Sequence, residues 1–254
     1  MSEAFAISAA GLEAQQRALE VTANNIANVN TPAFKRAEVQ FSEMVTQASD
    51  PDNPATIAST PALAGVSATT ALTLTSQGEI TQTGNAMDVA IDGAGFIPLL
   101  GAHGQMLLWR GGALHLDHGV LTAANGAPLA AAINVPDNAV AIDIGEDGQV
   151  RAHTAVGDAG NIIGRVSLVR IDDDKAVEAL DGGVYRVNDE SGVSDLDANA
   201  PDAPRLIQGA VERSNVDLSE EMVRLLMVQR AFAANAQILS AADQMVGIAN
   251  NLRK

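Results

Sequence analysis

Residues 217–246 read DLSEEMVRLLMVQRAFAANAQILSAADQMV, and their spacing decides the fold. Leu218, Leu225, Phe232, Leu239 and Val246 recur every seven residues, and Met222 and Ala236 fall four positions beyond two of them. Neither Pro nor Gly interrupts the stretch. It predicts one long helix with a narrow apolar stripe. Asp217 is placed to cap that helix, with Glu220 three residues on, and Arg253 and Lys254 stand near its negative end. A seven-residue repeat this long specifies a coiled-coil seam. An ordinary antiparallel helix pair inside one domain shares the pattern, so periodicity alone leaves both open.

The other end of the chain repeats the design. From Ala4 to Val29 there is no Pro and a single Gly, Gly11, while Phe5, Leu12, Leu19 and Ile26 recur every seven residues. Asn30-Thr31-Pro32 stops this helix, because proline pushes the residue before it out of the α region. Helices of about 25 and 35 residues at ~1.5 Å each are rods of about 40 and 50 Å. One helix cannot bury its own stripe, so the partner is the other end of the chain or further copies. Both stripes are rich in Ala, which lets helices approach closely.

Between the ends the pattern changes. Met87–Ile91, Phe96–Leu100, Met106–Trp109, Val140–Ile144 and Val166–Ile171 are short apolar runs, separated by Gly84-Asn85, Asp92-Gly93, Gly111-Gly112, Asn125-Gly126, Asp147-Gly148 and Gly182-Gly183. A turn signal about every ten residues is the all-β pattern, and no helix-length segment supports a parallel βαβ sheet. Residues 46–70 carry Pro51, Pro54 and Pro61 among Ser, Thr and Ala, and read as an extended arm; residues 188–205 read as a polar return loop. The expected fold is α+β, with terminal helices paired as a coiled coil and an inserted, mostly antiparallel all-β domain. Its parts are a helical polymerisation domain (1–36 plus 209–254), a linker or arm (37–75) and a β domain (76–208).

Composition narrows the function classes. The chain has 254 residues, no Cys and a net charge of −16. The segments 1–36 and 209–254 are each neutral, so the whole excess lies in residues 37–208, with 23 acidic against 7 basic side chains. That balance argues against nucleic acid, which needs a basic footprint. Lack of Cys removes disulfides and thiolate chemistry. No apolar run reaches the ~18 residues of a membrane span. The start, Met1-Ser2-Glu3-Ala4-Phe5, has no basic segment ahead of an apolar core, so no cleaved signal peptide is expected.

Chemistry is hard to find. His115-Leu116-Asp117-His118 offers two imidazoles and a carboxylate, but Gly119 marks a hairpin turn, and zinc needs three or four converging ligands. Asp172-Asp173-Asp174 lacks the spaced ligands of a calcium loop. Gly93-Ala94-Gly95 precedes an apolar run and not a helix, so it is no dinucleotide fingerprint. Paired acids for glycoside chemistry stay open, and two Asp in an acidic domain are a weak signal. Trp109 and Tyr185 read as core aromatics. The expectation is a non-enzyme with no catalytic, cofactor or metal residues.

The ends carry a family resemblance. Gly11-Leu12-Glu13-Ala14-Gln15-Gln16, then Asn24-Asn25-Ile26-Ala27-Asn28-Val29-Asn30-Thr31-Pro32-Ala33-Phe34-Lys35-Arg36, resembles the N-terminal signature of bacterial flagellar rod and hook proteins. Ser214-Asn215-Val216-Asp217-Leu218, Gln229-Arg230-Ala231-Phe232 and Ala242-Asp243-Gln244-Met245 resemble their C-terminal signature. Gln77-Gly78, Met87-Asp88-Val89-Ala90-Ile91, Gly93-Ala94-Gly95-Phe96 and Trp109-Arg110-Gly111-Gly112 look like their β domain. Pro32-Ala33 stands where the family usually has Thr-Gly or Pro-Gly. Within the family the length and end patterns are most similar to the distal-rod subunits; proximal-rod and hook paralogues are the alternatives.

The resemblance implies a structural subunit that polymerises with itself and with other rod and hook subunits into a helical shaft. That shaft crosses the periplasm and transmits torque from motor to hook. It also implies passage through the flagellar export apparatus without a cleaved signal peptide, and no membrane insertion. Phe5, Leu12, Leu19, Ile26, Leu218, Met222, Leu225, Phe232 and Leu239 are then subunit-packing positions. Asn24, Asn25, Asn28 and Asn30 cap the first helix or bond neighbouring subunits. An export adaptor using its helices on a partner, or a wall hydrolase on a β scaffold, are the readings from other classes.

Overall fold

In the computed structural model, the structure describes residues 2–46, 62–155, 157–171, 177–187, 192–197, 200 and 203–252. Most of the expected arm, the Asp172–Asp174 run and part of the return loop lie outside the described residues. Contacts divide the chain into two compact units. One comprises Met1–Ala27, Ala37–Ala71 and Asp217–Lys254, and the other Asn28–Arg36 and Leu72–Val216.

The first unit is built on two helices, α1 (Ser2–Ala27, 26 residues) and α2 (Leu218–Leu252, 35 residues). α1 ends where Asn28 takes hydrogen bonds from Thr31, the backbone amide to its carbonyl (3.1 Å) and the hydroxyl to its Oδ1 (3.1 Å). α2 begins at Asp217, whose Oδ1 accepts from the amides of Ser219 (2.7 Å) and Glu220 (3.2 Å). These bonds, that from Glu220 first, hold the Asp217 carboxyl below the usual carboxylate range. Strands β1 (Ala37–Thr46) and β2 (Ala62–Leu72) pair as a two-stranded sheet in this unit, so the described parts of the expected arm are extended and also paired.

Among its described residues the second unit is all β apart from short 3₁₀ turns. One four-stranded sheet runs β16 (Arg205–Gln208), β4 (Asp88–Asp92), β7 (Gly111–Asp117), β8 (Val120–Ala123). A second runs β13 (Val177–Ala179), β14 (Val184–Val187), β6 (Met106–Trp109), β5 (Ile97–Leu100). Beside them stand the sheet β11 (Asn161–Arg165), β10 (Gln149–His153), β9 (Ala141–Ile144) and the pairs β12 (Val169–Ile171) with β15 (Val193–Asp195) and β17 (Ala210–Glu212) with β3 (Ile80–Gln82). The strand pairs of this unit are antiparallel. The main core gathers Val89, Ile91, Leu99, Trp109, Leu121 and Val150, and a smaller one forms around Phe96, Leu108 and Tyr185.

The turns follow sequence chemistry. β7 and β8 join through His118 (φ 48°) and Gly119 (φ 81°), two positive-φ residues as a tight hairpin requires. Gly78 has a different constraint: a Cβ there would lie 1.9 Å from the carbonyl oxygen of Arg213, so only glycine lets the outgoing chain pass. Ala33, at the family's usual glycine position, sits in the left-handed region (φ 58°) although it is buried. That conformation costs a non-glycine residue about 1–2 kcal/mol. Here it delivers its amide to the Glu212 carbonyl (2.8 Å) and its own carbonyl to the Tyr185 hydroxyl (3.3 Å).

Residues 28–36 and 209–216, grouped with the helices on sequence, pack with the sheets for an electrostatic reason. The Glu212 carboxylate is buried between Lys35 (Nζ to Oε1, 2.6 Å) and Arg110 (Nε to Oε2, 2.7 Å). Lys35 also donates to the Ser76 carbonyl (2.6 Å), and Arg110 donates to the carbonyls of Gly93 (2.6 Å) and Gly95. The Gly78 amide donates to Glu212 Oε1 (2.8 Å). Burial holds the Lys35 ammonium below its ordinary value, against the opposing pull of Glu212. Burial also pushes the Tyr185 hydroxyl well up, with Glu212 adding to the effect. The Arg110 guanidinium stands 5.8 Å from the centre of the Phe96 ring, which meets Tyr185 edge-on at 5.7 Å.

Two outcomes follow. Glu212→Gln leaves Lys35 and Arg110 buried without a counter-charge and lowers stability by about 3–5 kcal/mol in chemical denaturation. The Asp217 cap acts on pH in the opposite sense to a raised base. Its depressed carboxyl stabilises the start of α2 above the ordinary value of 3.8, and that contribution is lost as pH falls through the lower folded value. Helicity in acid titration is therefore higher for the native chain than for Asp217→Ala down to that range, and the two converge below it.

Candidate assembly surface

The helical unit shows how its two helices meet. Asn25 Nδ2 donates to Glu221 Oε2 (3.3 Å), and a Cβ on Gly11 would lie 3.2 Å from Asn235 Nδ2. Moving from Gly11 to Asn25 advances along α1 while the partner retreats from Asn235 to Glu221, so the helices are antiparallel. The advance is equal on both, which keeps one face of each turned to the other. The same register sets Ala18 opposite Val228, and both are buried.

This inner contact is small and polar. Among the residues whose burial is described, Ala14, Ala18, Thr22 and Asn25 are the buried ones of α1, and Glu221 and Val228 those of α2. Glu221 is 0% exposed and Asn25 1%. Asn25 also accepts from the Ala37 amide (3.0 Å) and donates to the Ala37 carbonyl (2.8 Å), which pins the start of β1 to the helix. Arg224 adds a second tie, donating to Glu38 from both terminal nitrogens (3.1 Å each) and to Glu220 (3.4 Å). Asn25 therefore bonds other segments of its own chain.

The large apolar residues lie to the side. Leu12, Leu19 and Ile26 are half-buried, and each follows an inward residue (Gly11, Ala18, Asn25) by one position, about 100° around the helix. On α2, Leu225 and Leu239 are half-buried, while Leu218, Met222 and Phe232 (40%) are exposed. Leu218, Leu225 and Phe232 each precede an inward residue (Glu221, Val228, Asn235) by three positions, about 60° around. The side chains of Phe5 and Val246 lie outside the described residues. Further round α2, Val223, Leu226, Met227 (65%), Ile238, Met245 and Ile248 are also exposed. Above α1, a groove of about 700 Å³ is lined by Ile7, Phe41, Val66 and Ile238, with Glu43 and Asn235 among its polar members.

Sequence reasoning identified the seven-residue period but not the inner series, because two such series overlap. Glu221, Val228, Asn235 and Ala242 recur every seven as regularly as Leu218, Leu225, Phe232 and Leu239 do. A polar residue at two of the four inner positions hid the series from an apolar search. Elsewhere, Asp117 and His118 are exposed at their hairpin, and no group of three or more His, Cys, Asp or Glu among the described residues is arranged to hold a metal. No described helix is long and apolar enough to cross a membrane.

The small inner contact has a direct consequence. Ala18→Leu overpacks the helix pair inside the subunit and costs about 1–3 kcal/mol. A thermal melt of the monomer followed by circular dichroism reads this as earlier loss of helix.

Comparison with known proteins agrees with this distribution of parts. Residues 5–35 match the family described as flagella basal body rod protein, residues 90–152 the flagellar hook protein FlgE/F/G D1 domain, and residues 207–252 the flagellar basal body rod FlgEFG protein C-terminal family. The flagellar basal-body rod protein FlgG of Agrobacterium fabrum is 33% identical, over 96% of this chain and 97% of its own. FlgG of Caulobacter vibrioides is 31% identical over 99% of both chains. FlgG of Bacillus subtilis is 32% identical over 96% of both. The similarity spans the helices and the sheets alike, and the chain belongs to the flagellar basal-body rod protein family.

Proposed function

We propose that the chain is a structural subunit of the basal-body rod, in its distal part, and that many copies polymerise into a helical shaft transmitting torque from motor to hook. The observation that carries this reading is the set of large apolar residues that α2 leaves exposed on the sides turned away from α1. The inner line of α2 faces α1, Leu218, Leu225 and Phe232 flank that line, and Met222, Leu226, Met227, Ile238 and Ile248 are exposed beyond. Large apolar side chains exposed in number on one helix mark a surface that a partner covers. One chain covers a single side, so other copies supply the rest. The identity to FlgG proteins over nearly full length on both sides supports the distal-rod assignment. A more distant relative, the flagellar hook-basal body complex protein FlhP of Bacillus subtilis, is 26% identical over 94% of each chain, and a proximal-rod or hook paralogue of the same family is the second reading.

In this reading Phe5, Leu12, Leu19, Ile26, Leu218, Met222, Leu225, Phe232 and Leu239 pack between subunits, as coiled-coil seams completed by neighbouring copies. The excess acidic charge of residues 37–208 suits a solvated layer of the shaft. A head-to-tail contact that does not close yields a filament. Other rod and hook subunits are the axial partners, and the subunit leaves the cytoplasm through the flagellar export apparatus. No enzymatic step is assigned.

Leu225→Asp or Phe232→Asp places a charge in a seam at a cost of several kcal/mol and abolishes incorporation while the β unit still folds. Quantitative mass spectrometry of purified hook–basal bodies reads incorporation. Native peptides in many copies scaling with rod length support the distal rod, a few copies support the proximal paralogue, and complete absence overturns the structural reading. Normal swimming with either Asp variant removes the seam assignment.

A further inference from the structure

We infer that residues 210–216 form a clasp that fastens three of the four points at which the chain crosses out of and into the β unit, so that force pulling the two helices apart meets this clasp before it reaches the sheets. The chain leaves the β unit after Arg36, returns at Leu72 and leaves again after Val216. The side chain of Asn215 reaches a residue at or beside the exit after Arg36 and the return at Leu72. Its Oδ1 accepts from the Arg36 amide (2.7 Å), and its Nδ2 donates to the carbonyls of Thr73 (3.2 Å) and Ser76 (3.0 Å). The crossings are also tied to each other, since the Thr73 amide and hydroxyl both donate to the Arg36 carbonyl (2.9 Å each).

The chemistry of these bonds selects asparagine. One side chain must accept once and donate twice, which the amide does and a carboxylate cannot. An Asp at this position would face the two carbonyls with its own negative oxygens. Below Asn215, Glu212 fastens the same incoming segment through Lys35 and the Ala33 amide. Gly78 closes over the Arg213 carbonyl, and β17 lies in the ladder with β3. The clasp thus joins residues 33–36, 73–78 and 210–215, which lie far apart in sequence.

The consequence is mechanical. Load applied along α1 enters the β unit at residue 28, and load along α2 leaves it at residue 216. With the clasp intact, the incoming and outgoing segments bear on each other, and the sheets between residues 79 and 209 are bypassed. The use of this device in a rotating shaft rests on the rod reading above; the clasp itself is a property of the single subunit.

The test pulls one full-length chain from its two ends. Because the chain has no Cys, Ser2→Cys and Lys254→Cys provide unique attachment points. The native chain is expected to show helix separation, then a discrete rupture, then the long extension of the β unit. Asn215→Asp lowers the rupture force, and Asn215→Ala does the same with no charge introduced. In unstretched protein, the Arg36 amide exchanges with solvent about tenfold faster in Asn215→Ala, the loss expected for one hydrogen bond, whereas Asn215→Asp keeps an acceptor for that amide and loses only the two donations to carbonyls. That second measurement decides the matter for a variant too weak to hold under force. An unchanged rupture force with unchanged exchange at Arg36 in Asn215→Ala overturns the clasp. Because both readouts use isolated subunits, they are independent of whether the chain is found in rods.

Discussion

The Glu212 carboxylate is the point on which the β unit depends. It lies out of water with a cation on each oxygen, Lys35 on Oε1 and Arg110 on Oε2. Such a cluster is not a large source of net stability, because desolvating three charges offsets most of their attraction. Its value is in what it excludes. Glu212 stands 177 residues from Lys35 and 102 from Arg110, and any arrangement that separates them leaves buried charge unpaired. The surrounding groups are arranged to match: Ser76, Gly93 and Gly95 offer carbonyls to the cations, and Gly78 an amide to the carboxylate. Even the left-handed Ala33 fits this account, since its conformation aims its amide at the Glu212 carbonyl. The strain there is stored in a segment that the ion cluster over-determines.

In the helical unit the same principle works at lower charge. Asn25 and Glu221 are buried together between α1 and α2. A buried polar pair in a helix seam sets register, because sliding either helix by a turn strands both groups. Ala14, Ala18 and Thr22, the other buried residues described on α1, have small side chains. The helices can therefore approach closely without spending their large apolar residues on each other.

How legible this was in the sequence depends on the range of the interactions. Local signals were read correctly: Asp217 caps α2, Pro32 follows the end of α1, and His118-Gly119 makes the hairpin turn. Trp109 and Tyr185 lie in the cores. The heptads predicted two long helices, yet periodicity does not say which of two interleaved series meets the partner in the same chain. Leu12, Leu19 and Ile26 drew notice because they are large and apolar, while Gly11, Ala18 and Asn25, one residue earlier, make the contact. Lys35 was legible only as one charge in a neutral segment. No local rule pairs it with Glu212 or Arg110, and without that pairing residues 28–36 and 209–216 group with the helices they adjoin.

These two solutions divide the work of a polymer subunit. Inside the chain, beside the apolar cores of the β unit, polar contacts of Asn25, Glu221, Arg224 and the Glu212 cluster fix which segments lie together. Outside, α2 presents Met222, Leu226, Met227 and Ile248, side chains that gain by burial but specify little about direction. Met is suited to such a surface, since its unbranched chain fills irregular gaps. A subunit built the other way round, with large apolar seams inside and polar groups outside, would fold more stably alone and have less reason to assemble. With the register set by Asn25 and Glu221, the alignment of the two helices within the chain does not depend on those exposed apolar side chains.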